Sequence, residues 1–185
     1  MTKAASTIRF AAKLFRPKAT AKAVSWTFLT LPKAASAKLP SRGMTSVEGT
    51  LNGLPFCATL EPDGRGGHWL KVDREMREAA GAEGGDLVTL EIAPVAVEPE
   101  PEQPDDLVKA LAAAPPRASE TWSDITPVAR RDWIHWITSG KRAETRAKRI
   151  DVAISKLSAG DRRPCCFDRS GMYSKSLSCP IPDDT

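Results

Sequence analysis

The sequence has no acidic residue before Glu48, only one tyrosine and two histidines, and no long apolar run. Apolar runs such as Ala110 to Ala114 fall far short of the roughly 18 to 20 residues that cross a bilayer, so no membrane span is expected. The two histidines, His68 and His135, have no paired ligand nearby in sequence, and no serine stands in a nucleophile-elbow motif. A nucleophile, a base and an orienting group are therefore not legible, and no enzyme is expected. The four cysteines, Cys57, Cys165, Cys166 and Cys179, have neither the even spacing of a disulfide framework nor the ligand spacing of a zinc site. Free thiols in a reducing, cytoplasmic setting are expected, with no metal or other cofactor. Pairing of Cys166 with Cys179 under oxidation is the weaker alternative. The glycine-rich run Asp63 to Gly67 lacks the lysine and the following helix of a phosphate loop, and it reads as a strand-joining turn.

What is present suffices for one sizeable core or two small ones: 185 residues, 41% apolar and 27% charged. The net charge of +4 is unevenly spread, since nine cations from Lys3 to Arg42 precede the first acid. A basic, acid-free, Ser/Ala-rich start is the compositional mark of an organelle transit peptide, and Ile8, Ala12 and Phe15 would line one face of such a helix. Ile8, Phe10, Ala12 and Leu14 also alternate with Arg9, Ala11, Lys13 and Phe15, the two-residue period of a half-buried strand. The strand is preferred, because Val24 to Leu31 reads as a second strand that needs a partner.

Further along, Pro32 opens a short helix, and Asn52-Gly53 between Thr45–Leu51 and Leu54–Leu60 marks a tight hairpin. His68 to Val72 is another strand, Asp73 caps a short helix ending at Gly81, and Leu87 to Ile92 is a last strand. Six short strands with tight turns predict a small barrel over residues 6–93. Residues 94–104 alternate proline with acid and read as a semi-extended linker. Over 105–160, one helix runs from Asp105-Asp106 to a stop at Pro115-Pro116, and a second from the cap Thr126 to about Thr138. A third runs from about Arg142 to Leu157, with Ala143, Ala147, Ile150, Ile154 and Leu157 as its inward stripe. The tail 161–185 has no readable period. The expected fold is α+β: a small six-stranded β-barrel with short helical insertions, then about three α-helices.

The runs Phe10–Leu14, Trp26–Pro32, Val47–Phe56 and Leu70–Gly81 with Gly85-Asp86 resemble a bacterial domain of unknown function whose members form small β-barrels. Leu107–Pro115, Arg130–Ile137 and Lys141–Ile150 resemble the YdeI/OmpD-associated family, often labelled bacteriocin-protection. The two resemblances cover residues 7 to about 160. They imply a first strand over 7–15 and supply no catalytic residues.

From Arg130 to Arg163 ten cations stand against four acids. Arg142, Arg146 and Arg149 fall four and three apart, hence on one helix face beside the apolar stripe. With Lys141 and Arg130 they form a candidate anion- or partner-binding set, since clustered arginines grip phosphates and carboxylates in forked pairs. The competing reading is a solvated face, partly neutralised by pairs such as Glu144 with Lys148. The expected function is a non-enzymatic binding or stress-protection protein of the bacteriocin-protection type, of unknown ligand, with an acidic protein or a nucleic acid as the candidate partner. The alternative is a nucleic-acid-binding regulator, acting through these helices or through a barrel surface in which Leu70, Val72, Arg77, Gly81, Gly85-Asp86 and Val88 resemble AbrB-type modules.

Overall fold

The computed structural model describes residues 6–18, 24–164 and 179–183. They divide into two compact units, one of residues up to Ala96 together with 179–183, the other beginning at Val97. No described helix is long and apolar enough to cross a membrane.

The first unit consists of β1 (Ile8–Lys13), β2 (Thr27–Thr30), α1 (Lys33–Ser36), β3 (Thr45–Leu51), β4 (Leu54–Pro62), β5 (His68–Val72), α2 (Arg74–Ala79) and β6 (Leu87–Pro94). The strands form one antiparallel sheet in the order β1-β6-β3-β4-β5-β2. Just past β1, Phe15 exchanges backbone hydrogen bonds with Phe28 of β2 at 2.7 and 2.9 Å, which nearly closes the sheet into a barrel. The strand reading of the N-terminus therefore holds and the transit-helix reading falls: Ile8, Ala12 and Leu14 are buried while Arg9, Ala11 and Lys13 are exposed.

Local chemistry explains the turns. Asn52 and Gly53 both take positive φ, 49° and 82°, as a two-residue hairpin of the right twist demands. Asp73 caps α2 by accepting the Met76 N–H at 2.8 Å, and Gly81 follows at φ 63°. Inside, Leu29, Leu51, Leu60, Leu70, Leu90 and Ile92 are almost completely buried. Residues of the tail, for which no structure is expected, join this unit: Lys18 donates to the Ile181 carbonyl and Asp183 to that of Arg16.

The second unit holds α3 (Asp105–Ala113), α4 (Pro116–Asp124), α5 (Pro127–Thr138) and α6 (Ala143–Ser158). Four helices stand where about three are expected, and proline explains the difference. Pro115 is extended at the N-cap and Pro116 occupies the first helical turn, so the pair that stops α3 also starts α4. Thr126 caps α5 by accepting the Ala129 N–H at 3.2 Å, as its position predicts. The core gathers Leu107, Trp122, Trp133, Ile137, Ile150 and Leu157. One correction concerns α6. Its inward stripe is Ile150, Ala153 and Leu157, with Ile154 half-buried against the same core, whereas Ala143 and Ala147 are exposed.

Gly49 of β3 marks the tightest backbone approach in the barrel, since a Cβ there would lie 1.9 Å from the Glu91 carbonyl oxygen of β6. That oxygen belongs to a paired strand and cannot retreat without breaking the ladder. Gly49→Ala is expected to destabilise the barrel by about 3 kcal/mol or more, read as a large drop in the urea midpoint. A variant that melts like wild type would contradict this account of the β3–β6 contact.

Candidate anion-binding sites

The five cations expected on one surface divide into two groups. Arg130 lies near the start of α5 and reaches two ways. Its Nε and Nη2 grip Glu100 at 2.6 and 2.8 Å, and its Nη1 donates to the Trp122 and Ile125 carbonyls at 2.9 and 2.7 Å. It thus satisfies the carbonyl end of α4, where unpaired C=O groups and the helix dipole favour a cation. Arg131 beside it pairs with Glu98. The acids of the linker are therefore fixed partners of α5.

Arg146 on α6 forks onto Asp106 in the first turn of α3, with Nη2 to Oδ1 at 2.9 Å. That guanidinium, aided by the Leu107 backbone N–H, holds the Asp106 carboxyl below the usual carboxylate range. Arg149, one turn on, lies 5.4 Å over the Trp136 ring and donates to the Trp136 carbonyl and to Ser139 Oγ at 2.7 Å. Trp136 in turn meets Trp133 edge to face at 5.9 Å.

Arg130, Arg146 and Arg149 thus make internal contacts, while Lys141 and Arg142 stand exposed between α5 and α6, their side chains without a hydrogen bond or ion pair among the described residues. Glu144 and Lys148 likewise do not pair. The charge excess of 130–163 also shrinks once the upstream acids are counted, for residues 97–167 carry twelve Lys and Arg against eleven Asp and Glu.

The barrel carries the more concave site. A cavity of about 890 Å³ opens between α1 with the loop after it and the β4–β5 turn, lined among others by Lys33, Leu39, Arg42, Asp63 and Arg65. Two hydrogen-bonded devices shape its walls. Asp63 Oδ1 accepts the N–H groups of Arg65 and Gly67 at 2.7 and 2.8 Å, which folds the turn as the strand connection expected from sequence. Beneath the loop, buried His68 faces the Gly43 carbonyl with Nε2 at 3.0 Å and Ser36 Oγ with Nδ1 at 3.3 Å. Burial lowers the His68 pKa, so the ring is neutral and serves as a strut.

Two further titratable groups are displaced. Burial pushes the Glu61 carboxyl up to about 7 against the pull of Lys71, and pushes the Cys179 thiol up to about 11. A thiol so raised is protonated at neutral pH and is a poor nucleophile. Among the described residues no group of three or more His, Cys, Asp or Glu is arranged to hold a metal; Cys165 and Cys166 lie outside those residues.

Residues 10–92 match a family described as a domain of unknown function, DUF1905, and residues 100–160 match one described as bacteriocin-protection, YdeI or OmpD-associated. The two matched segments follow one another in that order. No curated protein matches it. Lys141, Arg142 and the internally bonded Arg130, Arg146 and Arg149 lie in the segment that matches the YdeI/OmpD-associated family, and the cavity lies in the barrel that matches DUF1905. Sequence reading missed the cavity because Lys33, Arg42 and Arg65 come from three separate segments, and no spacing joins them.

Two outcomes follow from these contacts. Arg149→Gln is expected to cost about 1–3 kcal/mol through the lost carbonyl bond and ring contact, while Arg142→Gln stays within about 0.5 kcal/mol, both by chemical denaturation. For Glu61, the folded state binds a proton between pH 4.5 and about 7 that the unfolded chain does not, so the cost of burying its charge is full above that window and absent below it. Glu61→Gln should therefore exceed wild type in stability near pH ~8, by on the order of 2 kcal/mol, with the gap closing toward pH ~4.5. A difference that ignores pH would remove Glu61 from this role.

Proposed function

We propose that the protein is a non-enzymatic binding protein of the protective kind named by its YdeI/OmpD-associated domain, and that it engages an acidic protein at the α5–α6 corner. One observation carries the reading. The sixteen-residue helix α6 starts at Ala143 with no side-chain cap, immediately after Lys141 and Arg142, whose side chains are exposed and unbonded among the described residues. Uncapped N–H groups, the positive end of the helix dipole and two free cations converge there, an arrangement that favours a carboxylate from outside. Arg146 and Arg149 support the corner from behind. The near balance of charge over residues 97–167 argues against a nucleic-acid chain as the partner, because binding to a duplex rests on a sustained cationic surface.

The test is capture from lysate with immobilised protein, comparing wild type with Lys141→Gln/Arg142→Gln and identifying both proteins and nucleic acids. The expected result is an acidic protein held by wild type and lost by the variant, which melts normally because neither side chain is bonded. Equal capture by both would sink the reading. Duplex DNA retained with an affinity that falls steeply with salt would move it to a regulator, and turnover of a metabolite would move it to an enzyme.

A further inference from the structure

Fourteen arginines lie among the described residues, and the guanidinium groups of ten of them bond a carboxylate or a backbone oxygen. Four do not: Arg42, Arg65, Arg117 and Arg142. Two of these four, Arg42 and Arg65, line the same cavity of about 890 Å³ on the barrel, and Lys33, also without an ion pair among the described residues, lines it with them. Of the other twelve described guanidinium groups, all but those of Arg117 and Arg142 are satisfied internally. Here the chain leaves two, and an ammonium, around one hollow.

The hollow is held in shape from within. His68 ties the Ser36 hydroxyl and the Gly43 carbonyl together from below, Ser41 Oγ accepts the Gly43 N–H at 3.0 Å, and Asp63 fixes the turn that bears Arg65. One oxygen of Asp63 is already engaged by two backbone N–H groups, so the carboxylate offsets the three cations only in part. Leu31 and Leu39 supply an apolar wall. About two units of net positive charge beside an apolar wall fit a phosphoryl or pyrophosphoryl group better than a single carboxylate. The volume exceeds what a bare phosphate needs and lies in the range of metabolite pockets, roughly 300–1,000 Å³.

We propose that this cavity binds a small phosphorylated metabolite, with its phosphoryl charge against Lys33, Arg42 and Arg65 and its organic body against Leu31 and Leu39. The site is separate from the α5–α6 corner, so failure of either proposal leaves the other standing. It takes no step of chemistry; it recognises.

The full-length protein is titrated with inorganic pyrophosphate and with uridine diphosphate, by calorimetry and by backbone amide shifts. Both probes are expected to bind and to shift the amides of Arg42, Gly66 and Gly67, with the nucleotide the tighter of the two. Lys33→Gln/Arg42→Gln/Arg65→Gln is expected to weaken both by more than about tenfold, since each charge-assisted contact alone approaches that factor. Arg65→Gln alone, at an exposed turn tip, gives a second reading that does not depend on the triple variant folding. The proposal is overturned if the variants bind pyrophosphate as tightly as wild type, if shifts fall elsewhere on the protein, or if the nucleotide binds no tighter than pyrophosphate.

Discussion

A six-stranded sheet has two edges with unpaired backbone groups, and here the exchange between Phe15 and Phe28 joins them. Everything else in the barrel follows from that closure. With β1 and β2 brought together, the inward positions of every strand face one interior, which Leu29, Leu51, Leu60, Leu70, Leu90 and Ile92 fill. Within the sheet, β3 and β6 approach too closely at Gly49 for any side chain. It also leaves α1, its following loop and the β4–β5 turn outside the wall, free to frame a cavity.

The helical unit is organised by a different constraint, the disposal of positive charge. Arg130 and Arg131 take the linker acids Glu100 and Glu98, Arg146 takes Asp106, Arg162 takes Asp124 and Arg163 takes Asp132. An exposed pair such as Arg162–Asp124 contributes little, whereas Glu98 and Asp132 are largely buried carboxylates that need their arginines; together the pairs decide which cations remain available. Arg130 does more, since it also meets carbonyls at the end of α4.

Much of the fold was legible because local signals agreed with the tertiary outcome. Asn52-Gly53, the caps Asp73 and Thr126, and the alternation from Ile8 to Leu14 each specify one conformation with little competition. The misses have physical causes. Pro115-Pro116 reads as a terminator, yet a proline that cannot continue one helix is well suited to open the next. The stripe through Ala143 and Ala147 has the right period, but alanine carries too little apolar surface to say which half of a helix is covered. The partners of the arginine face were hidden for a related reason: spacing places Arg142, Arg146 and Arg149 together, while Asp106 and the Trp136 carbonyl, distant in sequence, bond two of them. The cavity was beyond any single-window reading.

The pairing of Ile8 with Ile92 has a consequence in time. The first strand leaves the ribosome early, but its hydrogen-bonding partner is the last strand of the barrel, and its other neighbour meets it only through Phe15. At synthesis rates of roughly 5–20 residues per second, β1 waits several seconds as an unpaired, apolar-alternating segment. The cations Arg9 and Lys13 on its outward side give that waiting strand the like charges that discourage edge-to-edge association with other nascent chains.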